Sequence, residues 1–124
     1  MRIYISGKWE ERELVKQIYR RLEKAGHTIT CDWTNHTEED DGYPTQYAED
    51  DIEGVRTADL FIGLFLTDHS YKGALVELGV ALGRPVPVYI IGHAIDSCLF
   101  ADALGVTKFE TIDDCLEALK CSTP

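Results

Sequence analysis

The sequence contains no CxxC pair, no apolar run near the ~20 residues that cross a bilayer as a helix, and few basic residues. Lys and Arg total 12 against 22 Asp and Glu, a formal charge of −10. A field of that sign repels phosphate polymers and anionic lipid, so nucleic-acid polymers and membranes are excluded as expected partners. A small anionic ligand held in a local pocket remains compatible. Cys31, Cys98, Cys115 and Cys121 fall at none of the spacings of a zinc site, so no metal is expected. Scattered thiols of this kind suit a reducing compartment, and the chain opens directly on strand-like sequence without a signal-peptide pattern. The expected location is therefore cytoplasmic. Also missing are a GxGxxG after the first strand, a P-loop around Gly7-Lys8, and any legible Ser/His/Asp arrangement.

What is present is a chain of 124 residues, 44% of them hydrophobic, enough for one core without staples. Short apolar runs alternate with amphipathic stretches. Arg2–Ser6 predicts a strand, and Leu14, Val15, Ile18 and Leu22 recur at helical spacing within 9–25. Gly26 ends that helix, and 27–32 alternates as a second strand. Residues 33–46 are polar and acidic and predict a long loop. A helix is expected over 46–57, then an almost unbroken apolar strand over 59–66, of the kind buried on both faces. A helix at 73–83, a strand at 86–91, a short helix at 95–103, a strand at 106–109 and a helix at 112–120 complete the pattern. Such alternation predicts a single α/β domain, residues 1–124, with a five-stranded parallel sheet and helices on both faces.

Ligands of such sheets sit beyond the carboxyl ends of the strands, which directs attention to 6–9, 67–73 and 92–98. Glu77 lies one turn into the helix after the most apolar strand. Helical spacing puts Leu75, Leu78 and Leu82 on one face and Ala74, Glu77 and Ala81 on another, leaving space around the carboxylate. The helix N-terminus favours its ionised form, as a nucleophile requires. From spacing alone, a solvent-exposed helix glutamate is the commoner reading. Asp51 lies beside the stripe Ala48, Ile52 and Val55, where apolar neighbours raise a carboxyl pKa and suit it to give a proton. A first-turn aspartate serving the helix dipole is equally compatible.

Other polar groups attract blander readings. Asp59 suits a cap or turn, the run Glu38-Glu39-Asp40-Asp41 a solvated loop, and His27 a structural place in a helix-to-strand turn. His36, His69 and His93 lie on predicted loops without paired ligand spacing. Trp9 is either a stacking platform for a base or core packing. Lys8 and Arg12 are either phosphate-holding cations or an exposed helix start.

Three segments together, Ile3-Tyr4-Ile5-Ser6-Gly7-Lys8-Trp9, Asp51-Ile-Glu-Gly-Val-Arg-Thr-Ala-Asp59 and Gly73-Ala-Leu-Val-Glu77-Leu-Gly79, resemble the nucleoside 2-deoxyribosyltransferase family in order and separation. The likeness spans about residues 2–120 and extends to the related 2′-deoxynucleoside 5′-monophosphate N-glycosidases. It implies a Rossmann-like or flavodoxin-like fold and a homodimer or larger homo-oligomer with composite sites. Its implied chemistry is cleavage of an N-glycosidic bond through a covalent glycosyl-Glu77, with transfer of the sugar to another base and no cofactor. Hydrolysis of a nucleoside 5′-monophosphate, or nucleotide binding without turnover, are the alternatives. In that frame Tyr4 holds the Glu77 carboxylate, Asp51 protonates the base, and Trp9 lines the base pocket. Ser6, Gly7 and Gly73 fall in the substrate-binding segments, and Ser97 matches a residue lent by a neighbouring subunit. One departure stands out. The transferases carry a sugar-contacting Asp six residues before the nucleophile, where this chain has Tyr71; Asp68 and Ser70 are the nearby substitutes.

Overall fold

The computed structural model describes residues 1–40, 42–67 and 71–122, with residues 121 and 122 described by backbone alone. Its centre is a parallel sheet of β1 (Arg2–Ser6), β2 (Thr28–Ile29), β3 (Leu60–Leu64), β4 (Val88–Ile91) and β5 (Val106–Phe109), in the order β2-β1-β3-β4-β5. β3 is buried at every position, as its unbroken apolar run requires of a strand covered on both sides. It pairs with β1 from Ile3↔Leu60 to Ser6↔Gly63 and with β4 from Phe61↔Val88 to Leu64↔Ile91.

Four helices cover the sheet. α1 (Arg12–Lys24) buries Val15, Ile18, Tyr19 and Leu22, a 3.6-period stripe, and shares one face with α4 (Ile112–Ser122), to which Arg21 reaches through Asp113 at 2.8 Å. α2 (Gln46–Arg56) and α3 (Gly73–Leu82) pack against each other on the opposite face. The chain runs outward from β1 to β2, then returns past β1 to β3. That reversal puts a crevice at the carboxyl ends of β1 and β3, where open α/β sheets bind ligands.

Several boundaries differ from the sequence-based expectation, each for a local reason. The first helix begins with a 3₁₀ turn, Trp9–Glu11, so its α-helical part starts at Arg12. β2 keeps only two residues in register; past Thr30, whose hydroxyl donates to the Gly54 carbonyl at 2.7 Å, the chain turns away from the sheet. The expected loop at 33–46 opens with a 3₁₀ turn, Trp33–Asn35, capped by the Asp32 carboxylate accepting from the Thr34 amide. Trp33 is buried there, its indole N–H donating to the Ile5 carbonyl at 2.6 Å. The expected helix at 95–103 shrinks to a 3₁₀ turn, Leu99–Asp102.

The face assignment of α3 also changes. Ala74, Leu78 and Ala81 are buried, whereas Leu75 is exposed and Val76 more so. This helix is apolar almost all round, so periodicity does not single out its inner face. The small Ala74 and Ala81 let the backbone lie close to its neighbours, carrying Glu77 inward with them.

Candidate functional site

Tyr4 and Ser6 stand two residues apart on β1, so both side chains leave the sheet on the same face. Both are fully buried. The Tyr4 hydroxyl donates to Glu77 Oε2 at 2.7 Å and the Ser6 hydroxyl donates to Glu77 Oε1 at 2.6 Å, so each carboxylate oxygen has its own strand-borne donor. Tyr4 is itself fixed by stacking on Phe61, with ring centroids 6.0 Å apart. Glu77 is thereby held in one orientation by the centre of the sheet.

Electrostatics there depart from the sequence-based expectation. The helix N-terminus was expected to favour the ionised carboxylate; instead burial pushes Glu77 up to about 7, against the lowering effect of the Ser6 and Tyr4 hydrogen bonds, with the Asp51 charge adding to the rise. Desolvation outweighs two charge-assisted hydrogen bonds because the carboxylate has lost most of its water. Tyr4 is pushed well above its ordinary value by burial and by the Glu77 charge, so it remains a donor.

Asp51, on α2, is half-buried. Burial raises its pKa, while a hydrogen bond from Cys31 and the proximity of His36 oppose the rise. The Cys31 thiol donates to Asp51 Oδ1 at 3.4 Å, and His36 Nε2 lies 4.0 Å from the same oxygen. His36 stacks face to face on Tyr47 at 3.8 Å, and Tyr47 in turn neighbours Tyr43, which meets Trp9 edge-on at 6.2 Å. These rings, with Trp33, line a cleft of about 500 Å³ together with Asp51, Glu77, Ala74 and Gly73, and Asp51 lies beside the His36 and Tyr47 rings. A volume of that size holds a small-molecule ligand. Lys8 and Lys72 stand at its edge, Lys8 bonded to the Thr67 hydroxyl and 5.6 Å from the centre of the Tyr71 ring. Arg12 lies over Trp9 at 4.5 Å, steadying that ring.

Of the residues singled out in the sequence, Gly7, Trp9, Asp51, Tyr71, Gly73 and Glu77 line this cleft, and Tyr4 and Ser6 reach it through their bonds to Glu77. Ser97 does not join them; it is exposed on the turn after β4. Asp68 and Ser70 lie outside the described residues. Tyr71 is buried, edge-on to Phe65 at 4.9 Å, and its hydroxyl accepts from the Thr67 amide and donates to Glu11. Asp59 accepts from the Arg2 amide at 2.8 Å, and His27 sits beside the amino terminus at 3.1 Å, both tying chain segments together.

Sequence reasoning missed Cys31, Trp33, His36, Tyr43 and Tyr47. For the large rings the signal was aromatic content: Trp33 and Tyr43 inside an expected loop otherwise polar enough to be solvated, and Tyr47 at the start of the helix that follows. Cys31, His36 and Asp51 also bring three metal-ligating atoms within 4.8 Å of one another, a grouping that no local spacing announces.

The sequence profile described as nucleoside 2-deoxyribosyltransferase matches residues 3–115. No protein of curated function matches the chain at a significant level. Among solved structures, the chain is similar to a Clostridium botulinum CMP N-glycosidase at 17% identity and TM-score 0.68, over 98% of this chain and 99% of that one. It is similar to a 2-deoxyribosyltransferase of Bacillus psychrosaccharolyticus at 20% identity and TM-score 0.72, over 93% and 90% of the two chains. A conserved protein of Enterococcus faecalis V583 matches at 19% identity and TM-score 0.67, over 99% of each chain. At these identities the structural likeness shows a shared fold.

Proposed function

Because this chain belongs to the nucleoside 2-deoxyribosyltransferase family, we propose that it cleaves the N-glycosidic bond of a nucleoside or nucleotide and passes the sugar to a second nucleobase. The observation carrying this reading is the pairing of two carboxyl groups with different supports along one aromatic-walled cleft. Glu77 is gripped at both oxygens by hydroxyl donors, and Asp51 lies by the rings. Glu77 attacks C1′; the new C1′–O bond forms as the C1′–N bond breaks, and the electron pair leaves on the base. Asp51 gives its proton to that departing base, an assistance typically worth ~10²–10⁴ in rate. A second base then attacks C1′ as the C1′–O bond to Glu77 breaks, giving its N–H proton to the Asp51 carboxylate; this releases the exchanged nucleoside and returns both carboxyl groups to their starting states. Trp9, Tyr43 and Tyr47 supply flat faces for the two bases in turn.

Tyr71 favours a share of hydrolysis beside transfer. Its buried hydroxyl is directed to Thr67 and Glu11, so this position offers a sugar no charge-assisted carboxylate anchor, and water competes with the incoming base at C1′. The test is incubation of the protein with a panel of deoxynucleosides and their 5′-monophosphates, with and without a second free base, resolved by chromatography. Exchanged nucleoside together with some free sugar is the expected result. Free sugar without any exchange transfers the reading to the hydrolase, and no release of base from any member of the panel overturns both.

A further inference from the structure

Cys31 lies just past β2, His36 closes the 3₁₀ turn that follows, and Asp51 is on α2, so three separate backbone segments bring a thiol, an imidazole and a carboxylate to one point. We propose that Cys31 Sγ, His36 Nε2 and Asp51 Oδ1 form a binding site for a soft divalent cation of the zinc class, and that its occupancy withdraws Asp51 from the reaction. The second half of this inference rests on the role given to Asp51 above; the site itself rests on geometry alone.

The spacing suits such an ion. A tetrahedral zinc with Zn–S of ~2.3 Å and Zn–O of ~2.0 Å separates its sulfur and oxygen ligands by about 3.5 Å. Cys31 Sγ and Asp51 Oδ1 are 3.4 Å apart. His36 Nε2 stands 4.0 Å from that oxygen, so its ring has to close by less than ~1 Å to reach the ~3.3 Å of a nitrogen–oxygen ligand pair. The donor set selects the metal class, because sulfur and imidazole suit zinc-like ions whereas magnesium and calcium demand oxygen shells. Three protein ligands leave the fourth position to water.

The surroundings supply support and access. Stacking on Tyr47 fixes the plane of the His36 ring. Gly54 gives Cys31 its place, since a Cβ there would stand 2.7 Å from the Cys31 Cβ. Cys31 and His36 also border a second groove of about 540 Å³. Its walls carry Asp32, Asp50 and Glu53 against Arg2, a balance that concentrates cations at the entrance. Binding breaks the Cys31 S–H bond, forms the sulfur–metal bond and releases the proton to solvent, so no oxidant or reductant is involved.

Cobalt(II) is the first probe, because a thiolate ligand gives it a near-ultraviolet charge-transfer band and tetrahedral geometry gives it intense visible bands. The full-length protein titrated with Co²⁺ is expected to show both at one equivalent, and Zn²⁺ to bleach them. Cys31→Ser, which keeps a hydroxyl donor for Asp51 and leaves the other cysteines in place, loses the charge-transfer band; Cys31→Ala does the same if the serine variant melts abnormally. His36→Ala weakens binding by about tenfold or more. Absence of the band in the parent, or its survival in both Cys31 variants, overturns the site and leaves the proposed function standing. In the activity arm, saturating Zn²⁺ lowers turnover of the parent by about 100-fold or more, the scale of a lost general acid, but not that of Cys31→Ser relative to its own metal-free rate. Zinc held at Cys31 with undiminished turnover overturns the inhibitory half.

Discussion

At the scale of single residues, Glu77 has opposing demands placed on it, and they are measurable. Its ordinary carboxyl value of 4.5 becomes about 7 in the fold. The folded chain therefore holds this proton more tightly than the unfolded chain does. Between those pH values stability falls as pH rises, by roughly 3 kcal/mol in all for this one group. Glu77→Gln removes that loss. It should melt above the parent at pH 8, with the gap closing towards pH 5, while its turnover falls below a tenth of the parent rate. A variant that keeps more than a tenth removes Glu77 from the nucleophile's role. The same ionisation should set the acid limb of the pH–rate profile, with a midpoint near 7. Tyr4→Phe deletes a donor that favours the ionised form, so it should move that limb to higher pH as well as slow the reaction. Kinetics across pH 5 to 9 check both. An unmoved limb would show that the Tyr4 bond does not govern the carboxylate. In the sequence, Glu77 stood out through its small neighbours, but its pKa did not. Local position invoked the helix dipole, whereas the larger effect is desolvation by β1 and α2, which only the assembled fold supplies.

At the scale of elements, the helix that carries Asp51 sits close to the sheet because it has a glycine where it crosses β1. A Cβ on Gly54 would meet the Cys31 Cβ at 2.7 Å and the Tyr4 ring at 3.0 Å, neither at the end of a flexible chain. Gly54→Ala should push α2 outward, costing about 1–3 kcal/mol, and shift Asp51 relative to Glu77. A fall of several degrees in melting temperature with a loss of turnover is expected; an unchanged melting temperature would mean that the contact relaxes freely. The alternation of strands and helices was legible in sequence because period-2 and period-3.6 patterns are local. The turn at Trp33–Asn35 was not, and Leu99–Asp102 was expected as a longer helix, since 3₁₀ segments of three or four residues leave no periodicity to fix their type or bounds. The inner face of α3 was hidden for the opposite reason, an excess of apolar residues on every side.

At the scale of the whole molecule, the strand order that creates the crevice was not legible: alternation fixes parallel pairing but not the sequence of neighbours, and the likeness to Rossmann-like or flavodoxin-like folds left more than one order open. The remaining question at this scale is assembly. Val76, at the outer start of α3, is 63% exposed, and Leu99 and Phe100, on the turn after β4, are 80% and 65% exposed. All three follow the carboxyl ends of neighbouring strands β3 and β4, the end at which the cleft opens, and Ser97 is on the same turn. Large apolar side chains exposed near one end of the sheet suit a surface that another chain covers. A second copy of this chain, seated there in a closed two-fold arrangement, would cover them and bring a partner's Ser97 turn towards the cleft. Light scattering at micromolar concentration should therefore give a dimer or a larger closed assembly. Leu99→Asp combined with Phe100→Asp should shift it to monomer, because two buried carboxylates facing their symmetry mates cannot be desolvated together. If the site is shared between copies, the monomeric variant loses turnover while its melting curve still reports a folded domain. A parent that is monomeric and fully active would show instead that one chain completes its own site.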